Sequence, residues 1–299
     1  LSGRQIFMKI VIASGKGGTG KTTVATNLAF LLAREGLRVA YVDCDVEEPN
    51  GHLFLQPVIE REWPIEKPVP VVESQRCTQC GRCSKACRFG AIISLPQRTV
   101  VFPELCHACG GCQLACPAGA ISEKGRRVGT VRAGYAGTIQ FLGGELDIGQ
   151  PMSPPIIRAL KETPLEADLV FLDAPPGTSC PVVETLRGAD MALLVTEPTP
   201  FGLYDLQLAI RLVRALSIPA AVIVNRVVKD GEPFLQWRQR LKQLPVPVWA
   251  EIPESRAIAE AYSSGTIIAQ NVPEFARELQ PVMHKLKASI DEGTCRHQW

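Results

Sequence analysis

Short apolar runs alternate along the chain with longer stretches of helical spacing. Ile10-Val-Ile-Ala is a β-type run, a glycine-rich turn follows, and Thr22 to Glu35 then places Leu28, Leu31 and Leu32 one helical turn apart. Apolar runs at 37–42, 169–172, 191–195, 220–224 and 246–250 are predicted as further strands with helices between them. Continuous apolar strands separated by helices predict an α/β fold, a mostly parallel sheet with helices on both faces. Between Pro57 and Pro70 the pattern dissolves into a segment with four prolines, and a cysteine-dense stretch runs from Cys77 to Cys116. The expected organisation is a first part at 8–70, a small inserted α+β domain at 71–124, and a second part at 125–299. Residues 125–141 return to β-type alternation, and Pro151, Pro154 and Pro155 open a helix through Lys161. Phe275, Leu279, Val282, Met283, Leu286 and Ile290 have helical spacing. Glutamates and Pro281 interrupt that stretch, so a domain-covering helix is expected over a membrane-targeting one.

Composition narrows the class. At 299 residues, with 46% hydrophobic and 21% charged residues, the chain has room for one large domain plus a smaller one and is not disordered. Its net charge of +2 gives no reason to expect nucleic acid as a partner. No apolar run approaches the roughly 20 residues that span a bilayer, so no membrane association is expected. Eleven cysteines, an odd number without a secretory segment, argue for thiols in a reducing, cytoplasmic setting rather than for disulfides. Met8-Lys-Ile reads as a natural start, which sets residues 1–7 aside from the fold.

The glycine-rich turn is Gly15-Lys16-Gly17-Gly18-Thr19-Gly20-Lys21-Thr22, which satisfies the G-x-x-x-x-G-K-[ST] phosphate-loop pattern between a strand and a helix. Its glycines let backbone N–H groups turn toward phosphate oxygens. Lys21 is expected to reach the β- and γ-phosphates of ATP or ADP, and the Thr22 hydroxyl to ligate Mg2+; Thr23 follows at the head of the helix.

Lys16 narrows the resemblance. The run Lys-Gly-Gly-Thr-Gly-Lys-Thr is similar to the deviant phosphate loop of the MinD/ParA class of ATPases, which includes the nitrogenase iron protein and the Mrp-type carriers. The resemblance implies a homodimer closed across ATP, in which Lys16 reaches the partner's nucleotide. Val42-Asp-Cys-Asp-Val-Glu-Glu-Pro-Asn50 resembles switch I, so Asp45 would orient the attacking water or the Mg2+ shell; Asp43 is either functional or a turn residue. Leu169 to Gly177 resembles the Walker B strand and switch II, which gives Asp173 a water-mediated hold on Mg2+ and Gly177 a γ-phosphate-sensing role. Asn225 ends a strand as the adenine-reading asparagine does in this class. Together these imply Lys16, Lys21 and Asp45 as the catalytic set.

Cys77, Cys80, Cys83 and Cys87 form one C-x-x-C-x-x-C-x-x-x-C run, and Cys106, Cys109, Cys112 and Cys116 form a second. This is the bacterial ferredoxin spacing, in which the fourth cysteine of each run serves the other cluster. It predicts two 4Fe-4S clusters, one on Cys77, Cys80, Cys83 and Cys116, the other on Cys106, Cys109, Cys112 and Cys87. Zinc, which favours paired knuckles, is the competing metal. Residues 71–134 hold nine lysines and arginines against three glutamates, a surplus that either docks an acidic partner or offsets cluster charge. His107 is expected to be a surface neighbour and not a ligand. Cys180 stands seven residues after Asp173, a spacing that resembles the bridging cysteine of the nitrogenase iron protein, but no companion cysteine occurs at 143–150. A partly buried thiol near the dimer seam is expected for it, and no role for Cys44 or Cys295.

The favoured function is an ATP-hydrolysing dimeric switch whose ferredoxin-like insert exchanges electrons with a redox or metallocofactor protein. The alternative is an ATPase that carries or assembles iron–sulfur or other metal cofactors without net electron transfer. A partition-type positioning ATPase would not need eight cluster cysteines.

Overall fold

The computed structural model describes residues 8–228 and 232–291; residues 1–7 and Cys295 lie outside them. The strands are β1 (Met8–Ala13), β2 (Val39–Asp43), β3 (Val58–Val72), β4 (Ile92–Ser94), β5 (Thr99–Val101), β6 (Ile121–Ala136), β7 (Ile139–Leu146), β8 (Leu169–Asp173), β9 (Met191–Thr196), β10 (Ala220–Val227) and β11 (Val248–Pro253). The helices are α1 (Lys21–Arg34), α2 (Gly51–Leu55), α3 (Arg82–Ala86), α4 (Gly111–Leu114), α5 (Pro154–Glu162), α6 (Cys180–Leu186), α7 (Pro200–Ala215), α8 (Glu232–Lys242), α9 (Arg256–Ser263), α10 (Ile268–Asn271) and α11 (Pro273–Asp291).

Nine strands form one sheet in the order β11-β10-β9-β1-β8-β2-β7-β6-β3. From β11 to β7 the neighbours run parallel. Strands β2, β8 and β9 are buried at every position, as strands covered on both faces must be. The expected α/β architecture is therefore present, with strand ends shifted by one to three residues at β2, β8, β10 and β11.

The chain divides into two compact units. The first takes the chain up to Glu62, then Val131–Glu145, then Ile157 onward; the second takes Trp63–Thr130 and Leu146–Ile156. The expected insert at 71–124 falls inside the first of the latter segments.

In the first unit, α1 and α11 cover one face of the sheet: Val24, Leu28 and Leu32 meet Ile10, Ile12 and Phe171, and Phe275, Leu279, Val282 and Leu286 are fully buried in the same core. Pro281 lies inside α11 but on its exposed side, so the helix continues past it with the lost hydrogen bond facing water.

Two stretches depart from the pattern reading. The four-proline segment is not irregular: Pro64, Pro68 and Pro70 lie within β3. Proline cannot donate to a ladder, and β3 is the outermost strand, where no donor is owed on one side. The alternating stretch at 125–141 is two strands that turn at Gly137, which takes φ +60°.

In the second unit, β4 and β5 pair antiparallel, with Ile92 opposite Val101 and Ser94 opposite Thr99. The two cysteine runs fold alike, 29 residues apart. Gln79 and Ala108 take φ of +56° and +54°, and Gly81 and Gly110 take +74° and +70°. Each then enters a short helix, α3 or α4. The amides of Ala91 and Ala120 donate to the sulfurs of Cys87 and Cys116, at 3.3 Å in both cases.

Leu279→Ala is expected to lower unfolding stability by about 2–5 kcal/mol, the cost of a cavity at a fully buried leucine. Denaturant unfolding checks this; a change below about 0.5 kcal/mol would mean that α11 does not close the core.

Candidate nucleotide site and cysteine unit

The phosphate loop leaves β1 at its C-terminal end and enters α1 at Lys21. Gly20 occupies the N-cap of α1 at φ +95° with no side-chain cap, so the helix presents its first amides and its positive pole to the loop. A Cβ at Gly20 would stand 2.3 Å from Asn225 Nδ2, and one at Gly15 would stand 2.2 Å from the Asp205 carbonyl oxygen. Neither position has space for a side chain.

The parallel register of β2 and β8 sets Asp43 directly beside Asp173. Burial raises the pKa of both, and the Asp173 carboxylate raises that of Asp43 and of Asp45 further. Asp173 is offset by the Thr22 hydroxyl, by the charge of Lys21 and by the Tyr41 hydroxyl, which donates to Oδ2 at 2.9 Å. Its Oδ1 is buried with no hydrogen-bond partner. Burial pushes Asp45 up to about 6 against the pull of Lys21. Asp43 accepts from the amides of Asp45 at 3.2 Å and Gly51 at 2.9 Å, so it shapes the loop that carries Asp45. Of its two expected readings, the structural one has the contacts.

A cavity of about 380 Å³ opens over Gly17, Gly18, Gly20, Lys21, Thr22, Thr23, Asp45 and Asn225, a volume in the range of small-molecule sites. The oxygens of Thr22, Asp45 and Asp173, one of them orphaned, are hard donors of the kind Mg2+ takes. Gly15, Lys16 and Thr19 do not line the cavity. Asn225 Nδ2 donates to the Thr19 carbonyl at 2.9 Å, so the expected base reader also ties down the phosphate loop. Gly177 donates to the Ser14 carbonyl at 3.0 Å, which links the segment after β8 to the same loop.

Lys16 is paired within its own protomer. Its Nζ lies 2.9 Å from Glu197, which also accepts from Arg226 at 2.5 Å. Arg226 holds φ +57°, a left-handed backbone that L residues rarely adopt. Tyr41, Glu197 and Arg226 were not legible as site residues. The last two do sit at the C-terminal end of a parallel strand, where such sheets gather ligand groups.

In the second unit, Cys77, Cys80, Cys83 and Cys116 border one recess, three from the first run and the fourth from the second. Cys112 neighbours Cys106 and Cys109, and Cys87 packs with Cys106 around Val69 and Ala91. Among the described residues no three His, Cys, Asp or Glu side chains converge as they would around a single metal ion. The thiolates of a cubane stand at its separate corners, so which cysteines share a recess is the test of fit, and by that test the first set fits, while the second set is brought together as neighbours. Amide donors reach the sulfurs of Cys87, Cys106 and Cys116 at 3.3–3.4 Å. Lys67 is fully buried, and its Nζ donates to the Cys106 carbonyl at 2.9 Å. His107 is exposed and stacks on Phe89 with ring centres 3.6 Å apart. Cys180 is exposed, not partly buried, because it opens α6 on the outside; Cys44 is fully buried, and burial raises its thiol pKa.

A phosphate loop on a parallel sheet with paired carboxylates at the neighbouring strand ends defines a P-loop nucleotide-binding protein. Residues 10–268 match the CobQ/CobB/MinD/ParA nucleotide-binding domain, and the chain belongs to that family. An uncharacterised protein of Methanocaldococcus jannaschii is 31% identical over 95% of this chain and 98% of its own length. An iron-sulfur cluster carrier protein of the same organism is 26% identical over 75% of this chain and 61% of its own. The septum site-determining protein MinD of Pyrococcus horikoshii, solved with Mg-ADP, superposes with a TM-score of 0.58 at 20% identity, covering 98% of this chain and all of that one. Among the described residues no helix is long and apolar enough to cross a membrane.

Gly20→Ala is expected to weaken ATP binding at least about tenfold with the fold retained, since its Cβ must displace Asn225 and with it the loop. Titration calorimetry and circular dichroism check this; wild-type affinity would mean that the Asn225 tie does not hold the loop.

Proposed function

We propose that this protein is a MgATP-hydrolysing dimeric switch that handles an iron–sulfur or related metal cofactor for a partner protein, with two 4Fe-4S clusters in its second unit. One observation carries the reading: a recess bordered by three cysteines of one run and the fourth of the other. That sharing is what ferredoxin-type ligation requires and what independent zinc knuckles do not. The clusters supply one-electron chemistry or transferable iron and sulfide. The relative named as an iron-sulfur cluster carrier supports a carrier or assembly role. Electron exchange is the second reading, favoured by the completeness of both four-cysteine sets, which suits clusters that stay bound.

In the first unit, Lys21 and the amides at the head of α1 hold the phosphates, and Thr22 and Asp173 hold Mg2+ with Asp45 beside them. Asp45 orients the attacking water. Lys16 exchanges its ion pair with Glu197 for the partner protomer's nucleotide when the dimer closes, and so couples hydrolysis to association.

The deciding experiment is anaerobic purification, iron and sulfide counting, and EPR with and without MgATP, followed by chelator challenge. Iron that MgATP releases to a chelator or an apo-acceptor supports carriage. Chelator-resistant iron with a dithionite-reducible signal moved by MgATP supports electron exchange. Protein that takes up no iron on reconstitution sinks both.

For the nucleotide site, Lys21→Ala is expected to abolish ATP binding, whereas Lys16→Ala binds ATP and hydrolyses it at least about a hundredfold more slowly. Equal loss of binding in both variants would remove the role across the dimer from Lys16.

A further inference from the structure

The 29-residue repeat makes the two cysteine sites alike in backbone, yet their charged surroundings differ. Thr99 Oγ1 stands 3.5 Å from the Cys77 sulfur and donates to Ser94, so hydroxyls face the first site. The cations near it are exposed: Arg82, which reaches Cys80, and Arg76, which donates to the carbonyl of Ala118 on the recess wall at 3.4 Å. No lysine or arginine borders its recess.

The second site has a buried cation beside its first cysteine. Lys67 is 1% exposed, lies on β3, and donates to the carbonyl of Cys106, the first cysteine of the second run. Among the described residues no carboxylate pairs with it, because Glu104, the acid nearby, is taken by Arg126 at 2.8 Å. The ammonium is buried with a neutral carbonyl as its hydrogen-bond acceptor, while the charges of Glu104 and Arg126 beside it act in opposite directions, so its burial is costly. An anionic group at Cys106, Cys109, Cys112 and Cys87 would offset that cost, and a cubane held by four thiolates carries net negative charge in both of its common oxidation states. A buried charge acts through a medium of low dielectric, whereas an exposed one such as Arg82 is screened by water and salt.

We propose that Lys67 sets the potential of the second cluster, making it the easier of the two to reduce, so that a single electron entering the unit rests there. The proposal rests on the cluster reading above. The step is a one-electron reduction of the second cluster by an external reductant, which adds one negative charge facing the ammonium and leaves the first cluster oxidised. Lys67 acts through the field it places at Cys106 and is a positioning residue.

The test is a dithionite titration of the anaerobically reconstituted full-length protein, followed by EPR at controlled potential. Wild type is expected to reduce in two separate one-electron steps. Cys109→Ser, which keeps an oxygen ligand but alters the signal, assigns the higher step to the second site. Lys67→Gln, which retains a donor and loses the charge, should lower the reduced-to-oxidised ratio of that step at least tenfold at the wild-type midpoint, about 59 mV for one electron. The lower step should stay in place, and Lys67→Arg should restore the wild-type order. Unmoved steps in Lys67→Gln, equal movement of both, movement of the lower step alone, or loss of half the iron in both Lys67→Gln and Lys67→Met would overturn the proposal. Wild-type protein without iron would instead defeat the cluster reading on which it rests.

Discussion

Two carboxylates, Asp43 and Asp173, stand side by side at the buried ends of adjacent parallel strands, and much of the nucleotide site is arranged to make that tolerable. Two like charges in a dry environment raise each other's pKa, and they stay only if donors are supplied. The donors come from every direction: Tyr41 from β2, Thr22 and Lys21 from the head of α1, and the amides of Asp45 and Gly51 from the following loop. The loop holding Asp45 therefore takes its shape from a charge beneath it. One oxygen of Asp173 is left buried without a hydrogen-bond partner, a hard acceptor of the kind that a nucleotide-bound cation takes.

A second theme is restraint of the phosphate loop by residues far away in sequence. Asn225 at the end of β10 holds the Thr19 carbonyl, and Glu197 after β9 holds Lys16 while also holding Arg226. Residues 225 and 226 thus grip the loop directly and through a shared carboxylate. Movement of one strand end would be felt at the Thr19 carbonyl and at Lys16 together.

The second unit shows how a repeat can be kept in the backbone and broken in the field. The left-handed residues, the short helices and the amide-to-sulfur bonds recur at the same spacing. Thr99 and Lys67, which lie outside the cysteine runs, differ in charge and burial. Spacing fixes where the thiols stand, while their neighbours decide the charge each site feels.

The motifs and the strand–helix alternation were legible in the sequence because their causes are local. A glycine that must turn, a lysine that must follow it, and a thiol every third residue are set by chain geometry over a few positions. The prolines of β3 misled because their tolerance depends on the strand being outermost, which no local pattern reveals. Tyr41, Glu197, Arg226 and Lys67 were invisible for a related reason: each acts through a partner 29 to 181 residues away, or on a carbonyl, and carries no motif of its own. The sequence by itself determined the fold class, the phosphate loop and the two cysteine runs, since periodicity and spacing are properties of the chain. Only the tertiary structure decided that Asp43 shapes a loop, that Lys16 rests on Glu197, and that one cysteine site holds a buried cation, because pairing and burial are properties of what the fold brings together.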